Sequence, residues 1–194
     1  MASAPDSDTA LHFDGPADWA AWLREHHAGS PGVWLRIAKK GAPRASVGYP
    51  EALELALCHG WIDAIKRSDG PQYWLQRFTP RAARSIWSKV NRDKALALVA
   101  AGRMQPAGLH EMKRAQADGR WDAAYDPASK STVPPDLQTA LDADSRAEAF
   151  FKALDAKNRY AVLFRLQTAK RADTRARRIA NFVAMLAKGE KIHP

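Results

Sequence analysis

Cysteine is nearly absent from this chain: Cys58 is the only one in 194 residues. An intramolecular disulfide is therefore excluded, and the expected home is a reducing compartment. Long apolar runs are missing too. The longest, Ala95 to Ala101, falls far short of the roughly 18 residues a membrane span needs, so no span is expected. The opening MASAPDSDTA lacks the basic and apolar regions of a secretory leader. These absences together lead us to expect a cytoplasmic protein. Several catalytic signatures are missing as well: no G-x-S-x-G elbow, no G-x-x-x-x-G-K-[ST] loop, no G-x-G-x-x-G turn and no H-E-x-x-H. None of the six histidines stands at metal-ligand spacing with a carboxylate or cysteine, so no metal and no cofactor are expected. No internal repeat is present, which argues against a solenoid.

Acidic residues are the scarcer charge, 21 against 30 basic ones, giving a net charge of +9. The excess collects in two places. Arg77, Arg81, Arg84, Lys89, Arg92 and Lys94 oppose only Asp93, and Lys170, Arg171, Arg175, Arg177 and Arg178 oppose only Asp173. Clustered cations concentrate anions of any kind, from carboxylate to nucleic acid. The remainder of the composition is that of a packed globule, 46% hydrophobic and 26% charged, long enough for one medium domain or two small ones. Seven tryptophans add to the core, since a buried aromatic hides about 150 to 250 Å², or about 4 to 6 kcal/mol.

The patterning predicts an α+β protein in which an α+β module over 10–126 is followed by an all-helical segment over 134–194. DPASKSTVPPD (126–136) separates them by its Pro, Ser and Asp content. In the first part, a short helix follows Pro16, and GVWLRIAKK alternates as a strand with Val33, Leu35 and Ile37 on one face. Pro50 opens a second helix that Gly60 ends. WIDAI and YWLQRFT read as two strands flanking the turn KRSDGP. Period two places Tyr73, Leu75, Arg77 and Thr79 together and Trp61, Asp63 and Ile65 together, while the register between the two faces stays open. Ser85 is placed to cap a helix running to about Ala101. In the second part, Pro134 and Pro135 precede a helix, Ser145 and Glu148 form a capping box, Asp155 can start another helix, and Asp173 or Thr174 the last. That last helix carries Ile179, Phe182, Val183 and Leu186 as a core stripe.

The ordered set GWID, FTPR, SIWS and Asn91, within YPEALELALCHGWID…SIWSKVN, together with the later TRARRI, resembles the YdeI/OmpD-associated family, also called bacteriocin-protection proteins. The resemblance implies a YdhG-like N-terminal module and a role in stress or antimicrobial-peptide tolerance, and it implies no established reaction. Ala64 stands where the family pattern leads one to expect glycine. The same stretch carries the candidate chemistry. Trp61, Asp63, Arg77, Arg81, Ser85, Trp87, Ser88 and Asn91 form a candidate pocket for a small anionic or peptide-like ligand, with arginines pairing to a planar anion and indoles packing beside it. Asp63 as a general base beside Arg77 and Arg81 is the one enzymatic arrangement left. Cys58 and His59 are adjacent and diverge on a helix, so Cys58 reads as a small core residue. A second class of function, weak nucleic-acid binding, would use Lys170, Arg171, Arg175 and Arg178 on the last helix.

Overall fold

A computed structural model describes residues 10–194; the opening segment read for a leader lies outside the described residues except for Ala10. Eight α-helices and three strands occur among the described residues. They divide between two compact units, one ending at Ile86 and resuming over Asn91–Asp122, the other made of Trp87–Val90 and Ala123–Pro194. The α+β expectation holds, with the sheet N-terminal and the helices mostly C-terminal.

In the first unit, α1 (Pro16–His26) and α2 (Tyr49–Cys58) each carry proline in the first turn, where the missing N–H costs nothing. The strands β1 (Val33–Ala38), β2 (Trp61–Asp69) and β3 (Tyr73–Pro80) form an antiparallel sheet in the order β1-β3-β2. Val33, Leu35 and Ile37 face one way, as their alternation predicts, and are buried. On that face Phe78 meets Trp19 of α1 at 5.7 Å between ring centroids. The buried indoles are also satisfied polar groups: Trp19 Nε1 donates to Ala52 O at 3.1 Å and Trp61 Nε1 to His27 O at 3.0 Å.

The hairpin is longer than its turn residues suggest. Arg67, Ser68 and Asp69 pair with Leu75, Trp74 and Tyr73, so most of KRSDGP is strand, and a bulge between Asp63 and Lys66 absorbs the irregularity after Ala64. The helix α3 (Lys89–Ala100) starts later than Ser85 implies. Ser85 to Trp87 run without regular structure, and Ser88 forms an isolated bridge with Tyr125. A further helix, α4 (Pro106–Ala117), approaches α2 closely at Gly108, where a Cβ would lie 2.7 Å from Leu57 O. Only glycine permits that contact.

The second unit is helical: α5 (Pro135–Asp142), α6 (Ser145–Ala153), α7 (Ala156–Gln167) and α8 (Ala172–Ala187). Leu137, Leu141, Phe151, Val162, Leu166, Ile179, Phe182 and Leu186 form its core. The cap of α6 is Asp144 rather than Ser145, its carboxylate accepting from the N–H groups of Arg146 and Ala147 at 3.1 Å each. A carboxylate one residue upstream reaches two unpaired amides with a full charge, which a hydroxyl cannot match. Asp155 caps α7 as the sequence suggests, accepting from Asn158 N at 2.8 Å. α8 begins at Ala172, just before the expected start.

Candidate functional site

The register settles which residues of the central stretch meet. Asp63 lies opposite Phe78, whereas Arg77 lies opposite Trp34. Successive side chains of a strand point to opposite faces, so Asp63 and Arg77 are on different sides of the sheet. Asp63 faces the helices and accepts a hydrogen bond from the Tyr49 hydroxyl at 2.9 Å. Arg77 lies on the other face, its guanidinium 5.7 Å from the Trp34 ring. Arg77 is therefore not placed beside Asp63 to stabilise an anion there.

The arginines beyond β3 are engaged with backbone. Arg81 is 5% exposed, its Nη1 donates to Ile86 O at 3.3 Å and its N–H to Gly60 O at 3.0 Å. Arg114 Nη2 donates to the carbonyls of Arg81 and Ala82 at 3.4 and 3.2 Å, and to Glu111 at 2.5 Å. Arg120, whose side chain is 4% exposed, grips Asp118 through Nε at 2.7 and 2.8 Å and donates from Nη1 to Ser85 O at 2.7 Å. Three guanidinium groups thus tie down the carbonyls of the 81–86 loop, where no regular ladder satisfies them. Ser85 takes part through its backbone. Trp61 and Trp87 are buried, Ser88 nearly so, and Asn91 is half-buried on α3.

An open, strongly basic pocket lies elsewhere in the first unit. Lys39, just after β1, and Lys66, Arg67, Ser68 and Trp74 of the β2–β3 hairpin enclose about 440 Å³, within the range typical of small-molecule sites. Each of these five side chains carries a hydrogen-bond donor and none is a carboxylate. The Lys66 ammonium sits 4.1 Å from the centre of the Trp74 ring, a cation–π contact that holds the charge at the pocket wall. Lys39 Nζ donates to Gly70 O at 2.8 Å, which anchors it over the hairpin turn. Tyr49 packs on Trp74 at 5.6 Å and so links the pocket to the Asp63 contact. The nearby acid, Asp69, is held by Arg36 Nε at 2.7 Å.

Sequence reading passed over these residues because Lys39 and the Lys66–Arg67 pair are far apart along the chain. The available signal was a basic pair at each strand end, Lys39–Lys40 and Lys66–Arg67.

A smaller recess of about 220 Å³ is lined by Ala20, Arg24, Leu55, Cys58, His59, Arg103 and Gln105. Its chemistry is quiet. Burial pushes the Cys58 thiol above its ordinary value, with Arg103 opposing, and burial pushes the His59 imidazole below its own. His59 Nδ1 lies 2.9 Å from Leu55 O, which can only accept, so the proton is on Nδ1. A neutral thiol beside a neutral imidazole is not an activated nucleophile. Among the described residues no group of three or more His, Cys, Asp or Glu is placed to hold a metal ion, and no helix is long and apolar enough to cross a membrane.

In the second unit the C-terminal basic patch is largely paired. Arg175 donates to both oxygens of Asp136 at 2.6 and 2.9 Å and to Leu166 O at 2.8 Å. Arg171 grips Asp173 at 2.8 and 3.1 Å, and Arg178 donates to Arg165 O. Lys170 is exposed. Arg175, expected to stand free for phosphates, is occupied in a bidentate pair. A polar recess of about 140 Å³ beside it, lined by Asp126, Ser131, Thr132, Pro134, Leu163, Gln167 and Arg175, is internally matched in the same way. Lys89 Nζ and Gln167 Nε2 both donate to Asp126 at 2.6 Å, and the Lys89 contact is the larger cause of its depressed carboxyl pKa.

These features define a small α+β unit with a basic, aromatic-walled recess, accompanied by a four-helix unit in which Arg171, Arg175 and Lys89 are paired with carboxylates. Residues 11–111 of the 194 match the family model described as a domain of unknown function, DUF8412, and the chain belongs to that family. Residues 130–189 match the model described as Bacteriocin-protection, YdeI or OmpD-Associated. The latter supports the resemblance read from the sequence, and ties the chain to bacteriocin protection at the level of the family. No curated protein and no solved structure matches the chain significantly.

Proposed function

We propose that this protein binds a small anionic ligand in the recess formed by Lys39, Lys66, Arg67, Ser68 and Trp74, and that it serves antimicrobial-peptide or envelope stress tolerance from the cytoplasm. One observation carries the reading: every residue lining the recess has a side-chain donor and none carries negative charge. Such a site attracts an anion before contact and hydrogen-bonds it after. Lys66 resting on Trp74 supplies a preformed cation whose side-chain entropy is already partly lost, which lowers the cost of binding. The hairpin is favoured over the Arg81 loop as the anion site because the loop guanidinium groups are bonded to backbone carbonyls. The family-level link to bacteriocin protection supports the stress role.

Calorimetric titration of the full chain with inorganic pyrophosphate tests the site. Binding is expected, with Lys66→Gln weakening it about tenfold, the factor that corresponds to 1.4 kcal/mol. Absence of heat with the unaltered chain, or an unchanged affinity in the variant, contradicts the assignment.

A further inference from the structure

The sheet carries a second cationic surface, on the face opposite to Lys66, Ser68 and Trp74 of the recess. Trp34, Arg36, Tyr73, Leu75 and Arg77 share the face away from Phe78, and Arg67 of β2 lies opposite Leu75. The guanidinium groups of Arg67 and Arg77 lie 5.0 and 5.7 Å from the centre of the Trp34 ring, and that of Arg36 lies 5.9 Å from the Tyr73 ring. Trp34 is 6% exposed and Leu75 5%. Aromatic and aliphatic groups are therefore the floor of this face, and arginines are its outer layer. Arg36 is neutralised by Asp69. Arg67 and Arg77 rest on an indole instead, which holds their position without cancelling their charge. Arg67 also borders the recess, at the β2 edge of the sheet, so the two basic features meet around that edge from opposite faces.

We propose that this strip binds single-stranded nucleic acid, its phosphates on Arg67 and Arg77 and one end of the strand passing round the β2 edge into the recess. The proposal rests on the recess being an anion site and gives that anion a chemical class. Three features favour a single strand. The cations follow a line across neighbouring strands, as a phosphate backbone requires. Guanidinium groups laid over an aromatic floor offer surfaces on which unpaired bases stack. The cationic residues stand on strands rather than on a helix that could enter a duplex groove.

The test is fluorescence anisotropy of the full chain with a labelled oligo(dT) of about 16 nucleotides, the upper end of known site sizes for small single-strand-binding folds. Salt-dependent binding tighter than that of a duplex of equal length is expected. Arg77→Gln, which keeps an aliphatic stem over Trp34, is expected to reduce the steepness of the log–log salt slope by about 0.7, with Arg77→Lys restoring it. Because Arg77 does not line the recess, Arg77→Gln should leave the pyrophosphate titration unchanged. The proposal is overturned by no oligonucleotide binding at about 50 mM salt, by an unaltered slope in Arg77→Gln, by a slope that Lys fails to restore, or by preference for the duplex or for polyglutamate. If pyrophosphate binds and the oligonucleotide does not, the recess stands and the nucleic-acid assignment falls; if neither binds, both fall.

Discussion

The basic patch around α8 and the basic end of the β2–β3 hairpin hold their cations in different ways. In the helical unit, Arg175 answers Asp136, Arg171 answers Asp173 and Lys89 answers Asp126. Positive charge there is matched locally and maintains helix ends and turns. On the hairpin of the first unit, Lys39, Lys66 and Arg67 enclose an open recess without an acid among its lining residues, and aromatic rings rather than carboxylates hold two of them in place. A run of arginines in sequence thus does not locate a binding surface. What decides is whether the fold supplies each cation with a carboxylate, with a backbone carbonyl, or with only an aromatic support. The 81–86 loop illustrates the middle case.

Three changes sharpen this contrast. The largest effect is expected at Arg120. Arg120→Met leaves Ser85 O without its donor in a buried setting and should cost about 1 to 3 kcal/mol of unfolding free energy by chemical denaturation. A loss near zero would mean that the guanidinium does not organise the loop. The next concerns pH. The folded-state pKa of His59 lies below its ordinary 6.5 because burial disfavours the charged ring, with His27 and Arg24 adding repulsion. Its contribution to stability is therefore complete above about 6.5 and is lost as pH falls from there through the lower folded value. His59→Gln should flatten that part of the stability–pH curve measured by thermal unfolding, and an unaltered curve would assign the slope to other groups. The smallest effect is expected at the α8 pair. Asp136→Asn should cost only about 0 to 1 kcal/mol, since the carboxylate is 45% exposed. Arg175 holds the Asp136 carboxyl below the ordinary 3.8, so the lost increment should be visible at neutral pH and vanish as pH falls through that depressed value. In the same variant Arg175 loses its carboxylate while keeping Leu166 O, and a gain in oligonucleotide binding would measure how far local pairing had silenced the patch.

Much of the fold was legible. Pro16, Pro50 and Pro135 marked helix starts, Val33–Leu35–Ile37 marked a strand, and Ile179, Phe182 and Leu186 marked the buried stripe of α8. Each of these signals is local. The start of α3 was misread because Ser85 looks like a cap, while the loop it occupies is held by Arg114 and Arg120 from far along the chain. Ser145 similarly stood next to the true cap, Asp144. The site was harder, because a cross-strand register has no signature in a single strand. Asp63 and Arg77 had equal reason to share a face until the Asp63–Phe78 and Trp34–Arg77 pairings separated them. The same register brought Lys66, Arg67 and Trp74 to one end of the hairpin, a grouping that charge counting along the chain does not reveal.

The most direct measurement of the central claim is a crystal structure of the full chain grown with tungstate, an anion whose anomalous signal identifies it without ambiguity. A bound tungstate is expected within hydrogen-bonding distance of the Lys39 and Lys66 ammonium groups. Anomalous density confined to the arginines of α8, or absent from the hairpin at saturating anion, would contradict it.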